Sequence, residues 1–368
     1  MSSPLTRSRV RWVAPVAAGV LLAGAGPLVT SLTATAGGAL PARTPAQLLV
    51  DVQHAQVDGL SGTIVQTANL GLPALPSLGG NAGGSASFSS LVSGSHTMRL
   101  WYAGPDHVRL ALLGQLGESD LVRNGTDVWA WSSANNTATH YTVPAAGSSS
   151  QLPPTGATTP QQAAAAALKA INPSTRVTTE RTATVAGRSA YQLVLQPRDR
   201  RSLVGSVQIA IDGKTHIPTR VQVFARGATS PSFEVGFTSF TASTPDSSVF
   251  AFTPPPGATV KQGGAQSMPA HAGHHARKAG SGTRVVGKGW TSVLVTKVGS
   301  MTSPSGSQSG SQSGGLAAAL KSLPTVSGRW GSGHLLRGTL FSALLTTDGR
   351  LVVGAVAPQQ LYAALGHA

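Results

Sequence analysis

The chain has no cysteine. Disulfides, thiol catalysis, cysteine-based zinc sites and a lipobox anchor, which needs an acylated cysteine, are all excluded. Charge is scarce as well. Only 11% of the 368 residues are charged, and 12 acidic residues face 27 Lys and Arg. No G-x-S-x-G elbow and no H-E-x-x-H helix occurs, so neither hydrolase signature is present. Gly213-Lys214-Thr215 looks like the end of a phosphate loop, but Gln208 stands where the first glycine belongs. Asp212-Gly213 is therefore read as a turn. His271, His274 and His275 lie in a carboxylate-free stretch, where no preformed metal site is expected. No cofactor is expected either.

The net charge of +15 is unevenly spread. Residues 1–36 carry three basic and no acidic residues, 37–260 carry 14 and 11, and 261–368 carry ten and one. A nucleic-acid binder needs a basic face on its own domain. The long central segment is nearly neutral, which argues against nucleic acid. The basic end suits anionic lipid headgroups or an acidic cell-wall polymer, and equally a solvated tail.

What the chain does have begins with an export signal. Arg7, Arg9 and Arg11 precede an uncharged, mostly apolar run over 12–32, and Ala34-Thr35-Ala36 has the small-x-small cleavage pattern. Two readings stand: a signal peptide cut after Ala36, or an uncleaved anchor, since a bilayer takes ~20 residues. Gly19, Gly24, Gly26 and Pro27 weaken a spanning helix and favour cleavage. Either way the rest lies outside the cytoplasm, secreted or held on the outer side of the cytoplasmic membrane.

Thr44 and Pro45 open a helix carrying Leu48, Leu49, Val52 and Ala55, with Gly59 as its stop. Strands are expected over 61–70, 96–103, 107–113, 120–123, 126–131 and 137–143, with a loop at 71–94. Gly104-Pro105-Asp106 and Asn124-Gly125 mark turns. After a linker at 144–158, an alanine run over 160–171 predicts a second helix. Further strands are expected over 181–185, 190–196, 204–211, 217–225, 232–240 and 249–253. Runs of strands with helices set apart define an α+β fold. The expected architecture is a large curved antiparallel sheet, an unclosed β-barrel with helices lining its concave face. Residues 37–260 form this domain, 261–283 a flexible linker, and 284–368 a small C-terminal α+β unit. In that unit strands are expected over 291–297, 340–345 and 350–355 and a helix over 358–365, around a low-complexity insert at 306–312.

Alternation along the strands gives each one an apolar side. Met98, Leu100 and Tyr102 share a face, as do Val108, Leu110 and Leu112. Trp129 and Trp131 share another. Tyr191, Leu193 and Leu195, then Val207, Ile209 and Ile211, then Val221 and Val223, then Phe233, Val235 and Phe237 repeat the pattern. About ten strands at ~4.8 Å each span ~48 Å. Two helices of roughly 25 residues together rise only ~1.5 Å per residue along a track ~10 Å wide. They cannot cover such a face laid flat. The sheet is expected to curl, leaving apolar space for an acyl chain. About 14 methylenes at ~0.8 kcal/mol contribute about 11 kcal/mol before ordering costs. The competing reading is a protein-filled core with no ligand space.

Several local patterns then fit together. They are Asp58-Gly59-Leu60-Ser61-Gly62, Leu121-Val122-Arg123-Asn124-Gly125 ahead of Val128-Trp129, and Val185-Ala186-Gly187-Arg188. Next come 193–197 with Asp199, Ile211-Asp212 with Ile217-Pro218, and Phe252-Thr253-Pro254-Pro255 with Gly257-Ala258. In this order, across about 45–260, the chain resembles the LolA-like lipoprotein-carrier superfamily and, within it, the MucB/RseB sigma-E regulators. The resemblance implies an unclosed barrel over a lipid-binding cavity and an extracytoplasmic, non-catalytic role. Its partners would be lipid or an acylated lipoprotein at a membrane surface. The alternative it implies is a regulatory module that senses envelope state and binds an anti-sigma factor. The cavity candidates are Met98, Leu100, Tyr102, Val108, Leu110, Leu112, Trp129, Trp131, Leu193, Leu195, Ile209, Ile211, Val221, Val223, Phe233, Val235 and Phe237. The glycine-rich stretch at 71–94 is an addition to the pattern.

Overall fold

The computed structural model describes residues 40–72, 90–91, 93–143, 159–169, 171–263, 283–297 and 323–366. The export signal, the linkers over 144–158 and 264–282, the insert at 306–312 and the three linker histidines lie outside the described residues.

The first helix, α1 (Pro45–His54), is set by Thr44, whose side chain accepts from the Gln47 amide while the Gln47 side chain returns to the Thr44 backbone. This capping box satisfies two otherwise orphaned donors. Six strands follow: β1 (Leu60–Ala68), β2 (Gly94–Tyr102), β3 (His107–Leu113), β4 (Glu118–Asn124), β5 (Asp127–Ser132) and β6 (Thr137–Thr142). The alanine-rich α2 (Pro160–Lys169) precedes β7 (Thr175–Val185), β8 (Arg188–Pro197), β9 (Val204–Asp212), β10 (Pro218–Ala225), β11 (Phe233–Thr241) and β12 (Thr259–Gln262). These twelve strands form one open sheet in the order β12-β6-β5-β4-β3-β2-β1-β11-β10-β9-β8-β7. Pairing is antiparallel except at one edge, where β12 runs parallel to β6. A second, six-stranded sheet holds β13 (Thr283–Val286), β14 (Val293–Lys297), β15 (Thr325–Gly328), β16 (Gly331–Arg337), β17 (Ser342–Thr346) and β18 (Arg350–Gly354). The helix α3 (Pro358–Gly366) packs Leu361, Ala364 and Leu365 onto one of its faces.

The α+β architecture expected from sequence is the one observed. Local differences have local causes. The expected strand over 249–253 is instead a 3-10 turn, Ser247–Phe250, capped by Asp246. Phe250 is tucked in there almost completely, and the prolines at 254–256 cannot donate to a ladder. β7 starts at Thr175, six residues before the expected strand, through a threonine-rich run suited to a pleated edge. β12, β13, β15 and β16 went unforeseen.

The large sheet is strongly curled. Residues of β7 come within 8 Å (Cα–Cα) of β11, although β8, β9 and β10 stand between them in the sheet. α2 lies over β10 and β11, and α1 reaches β7. Two close approaches fix the entrance to β1. A Cβ on Gly59 would collide with the Thr244 backbone, and one on Gly62 would meet Ser239 O and come within 2.7 Å of the Phe237 ring. Gly62→Ala therefore overpacks the sheet where β1 meets β11. It should cost about 1–3 kcal/mol, read as a lower urea midpoint at unchanged slope.

Candidate functional site

Cross-strand register assigns every candidate residue to a face, because directly paired residues point the same way. From β3 through β1, Leu110 pairs with Leu100, Leu100 with Gly62, and Met98 with Ile64. Ile64 pairs with Phe237, and Gln66 with Val235. Val235 pairs with Val221, Val221 with Ile209, and Ile209 with Leu193. One continuous face thus carries Met98, Leu100, Tyr102, Val108, Leu110, Leu112, Leu193, Leu195, Ile209, Ile211, Val221, Val223, Phe233, Val235 and Phe237. Most are almost wholly buried in a single core with Leu48 of α1, Ala163 and Ala164 of α2, and Leu91; Tyr102, Val223 and Phe233 are half-buried at its margin. Burial also raises the Tyr102 hydroxyl pKa.

Trp129 and Trp131 are different. Val122 pairs with Trp129 and Asp120 with Trp131, while Leu121, one residue away, pairs with Leu110. The two tryptophans therefore lie on the opposite, convex face. There Trp129 stacks on His140 and Phe252, with centroids 4.5 and 5.5 Å apart. Arg109 lies on the same face. It binds Asp120, reaches Val249 O and lies 5.6 Å from the Trp101 ring centre. Burial first, and then a hydrogen bond with Asp120, hold the Glu118 carboxyl above its usual range. These groups fasten residues 246–252 to the sheet.

Within the concave face the roof is lopsided. The sheet contributes large aliphatic and aromatic side chains. α2 buries only Pro160, Ala163 and Ala164, and α1 buries only Leu48. A buried Leu contributes about 1.5–3 kcal/mol, and an alanine much less. α1 is also tied electrostatically, with Asp51 3.6 Å from Arg43 and 4.0 Å from His216. One polar residue interrupts the apolar face. Gln66, buried, donates to Leu91 O at 2.6 Å, and its Oε1 has no partner among the described residues. Sequence reasoning passed it over, although it breaks the apolar alternation of Leu60, Ile64 and Ala68 at period two.

Two residues of the sequence pattern, Arg188 and Asp212, form a clasp. Arg188 binds both Asp212 oxygens at 2.7 and 2.9 Å, and the Thr215 amide and hydroxyl bind Oδ1 at 2.8 Å. Burial alone would raise the Asp212 pKa. The Arg188 and Thr215 hydrogen bonds outweigh it and bring it to about 2.

The fold is that of an unclosed, barrel-like sheet with a second small sheet attached. Solved structures that it resembles include the MucA/MucB complex of Pseudomonas aeruginosa (14% identity, 87% of this chain and 96% of that one, TM-score 0.41). An uncharacterised conserved protein of Thermus thermophilus matches at 10% identity, over 59% of this chain and 98% of that one, with a TM-score of 0.33. A LolA superfamily protein of Nitrosomonas europaea matches at 11% identity, over 57% and 99%, with a TM-score of 0.21. They include both groups that the sequence resembles. At this level of similarity none transfers a function to the chain. No family model and no curated protein matches it.

The Asp212 clasp has a pH signature. Its folded pKa of about 2 lies below the unfolded value of about 4. Its stabilisation is complete above about pH 4 and is lost as pH falls through about 2. Between those values the protein should lose about 1–2 kcal/mol through this group after screening. Asp212→Asn should cost about 1–2 kcal/mol at neutral pH by removing the ion pair with the partly exposed Arg188. It should also flatten the acid limb of stability measured by urea unfolding.

Proposed function

We propose that this is an extracytoplasmic, non-catalytic lipid- or lipoprotein-binding protein that takes an acyl chain against the concave face of its large sheet. The carrying observation is the mismatch across that face. The sheet side is built of Leu, Ile, Val, Met and Phe, whereas the covering helices bury only Leu48, Pro160, Ala163 and Ala164 and add half-buried Leu49, Val52, Ala167 and Leu168. α2, which buries only a proline and two alanines and packs one half-buried leucine on the core, gives up modest apolar contact on leaving. A hydrocarbon chain taking its place regains that contact with the same side chains. Gln66 Oε1, buried and without a donor among the described residues, suits a hydroxyl or amide N–H near the head of such a cargo. The extracytoplasmic location rests on the basic and apolar residues of 1–36. Among the described residues no helix is long and apolar enough to cross a bilayer.

A second reading, a regulatory module with a membrane-protein partner such as an anti-sigma factor, is favoured by the small sheet. Its face away from α3 carries an in-register row of Val285, Leu294, Val353, Ala343 and Leu336. Val285 is 64% and Leu294 41% exposed, whereas Leu336 and Ala343 are buried in a cluster with Leu323, so the open part of the row is its β13–β14 end. If this row is the contact, Leu294→Lys should abolish crosslinking to an anti-sigma factor while leaving acyl binding intact.

The lipid reading predicts copurified lipid in native mass spectra of the full chain and saturable uptake of a dansyl-labelled fatty acid that palmitate displaces. Empty protein that also fails to take up the probe would refute it. Because the chain has no cysteine, a pair introduced between α2 and β10 would form one defined disulfide. Uptake should stop when that bond is oxidised and return on reduction.

A further inference from the structure

The corner where the two sheets meet concentrates positive charge. The β8–β9 loop carries Arg198, Arg200 and Arg201, all exposed. It is fixed in place by the Arg198 amide donating to Ser174 O at 2.8 Å, the Leu203 amide donating to Ala355 O at 2.8 Å, and the bridge from Ser202 to Val356. Exposed Arg176 lies across from Gln196, at the start of the same turn. From the small sheet, the turn before β14 brings exposed Lys288 next to Gly289, which packs against Ser174 and Asn172. Trp290 pins that turn by donating to Thr175 Oγ1 at 2.7 Å.

The opposing charges are few and mostly spent. Asp199 is bound by Arg201 through both oxygens, at 2.7 to 3.1 Å. Glu180 is four residues beyond Arg176 on β7, about 13 Å along a strand at ~3.3 Å per residue. Arg226 is consumed internally by the carbonyls of Asp199, Ser202 and Val204. Arg198 and Arg200 have no ion pair among the described residues. Beside Lys288, where the two sheets meet, lies a crevice of about 230 Å³ lined by Asn172, Gly289, Trp290, Ser292 and Ala355.

We propose that this corner is the surface by which the protein docks on an anionic phospholipid bilayer, with lipid phosphates paired to Arg198, Arg200 and Lys288. The occupant is chosen by charge complementarity. The segment 261–368, which carries Lys288, has ten basic residues and one acidic, and its single carboxylate, Asp348, is bound by Arg350. Guanidinium groups suit phosphate oxygens because they bind them in pairs. The inference goes beyond acyl binding and does not depend on it, since a protein with a filled core would dock equally well.

The test is co-sedimentation of the full chain with vesicles of phosphatidylcholine alone or mixed with phosphatidylglycerol. Binding should appear only with the anionic lipid and fall with added salt. Arg198→Glu with Arg200→Glu should weaken it more than tenfold. Arg337→Glu with Lys297→Glu, on the α3 side of the small sheet, should change it little. Matching urea midpoints would establish that both variants fold. Equal loss in the two variants would overturn the proposal in favour of diffuse attraction. So would binding to soluble polyphosphate without binding to vesicles. The dansyl-acid assay reads the acyl site separately, so failure of one reading is distinguishable from failure of the other.

Discussion

The governing constraint is the disproportion between one apolar sheet face and the little helix available to cover it. A twelve-stranded sheet laid flat would expose more hydrocarbon than two ten-residue helices can hide. Curling lets the face cover itself. β7 swings round towards β11, and the paired row of Leu193, Ile209, Val221 and Val235 bends round the concavity within one core. The helices then cover the remaining gap, α1 with Leu48, Leu49 and Val52 and α2 with Ala163, Ala164, Ala167 and Leu168. The hydrophobic effect specifies the closed shape strongly and the identity of the cover weakly.

The convex face obeys a different rule. Over β3 to β6 it is partly apolar as well, and the chain covers it with its own strap of Phe250 and Phe252 rather than with a helix. That strap leads directly into β12, the parallel strand at the sheet edge. Such an edge is open to further pairing, and β12 occupies it with exposed Thr259, Lys261 and Gln262.

Much of this was legible in the sequence because strands with one wet face alternate at period two. Val221-Gln222-Val223 and Phe233-Glu234-Val235 state their orientation outright. β4 does not. Leu121 and Val122 are both apolar and point to opposite faces, so alternation alone cannot say which side Trp129 and Trp131 join. Only the count through the Gly125-Thr126 turn decides it, and it sets the tryptophans on the convex side. β12, β13 and β15 were illegible for another reason. They are four-residue edge strands held by backbone pairing, with no buried side chain to imprint a pattern. Arg188 and Asp212 were recognised only as parts of a pattern. Their bidentate contact depends on two hairpins being brought side by side, which no local spacing records.

The attachment points of the small sheet give it a mechanical role. The Thr339 amide, in its β16–β17 connection, donates to Leu70 O just past the end of β1. Trp290, Ala355 and Val356 hold the starts of β7 and β9. Along the large sheet β1 and β7 are five strand spacings apart, an arc of ~24 Å. One rigid six-stranded piece therefore spans the chord of that arc like a strut across a bow. Flattening the bow to widen its hollow would have to break one end of the strut, so the curvature of the large sheet and the seating of the small one are mechanically coupled through Trp290, Leu340 and Ala355, which pack on the shared core.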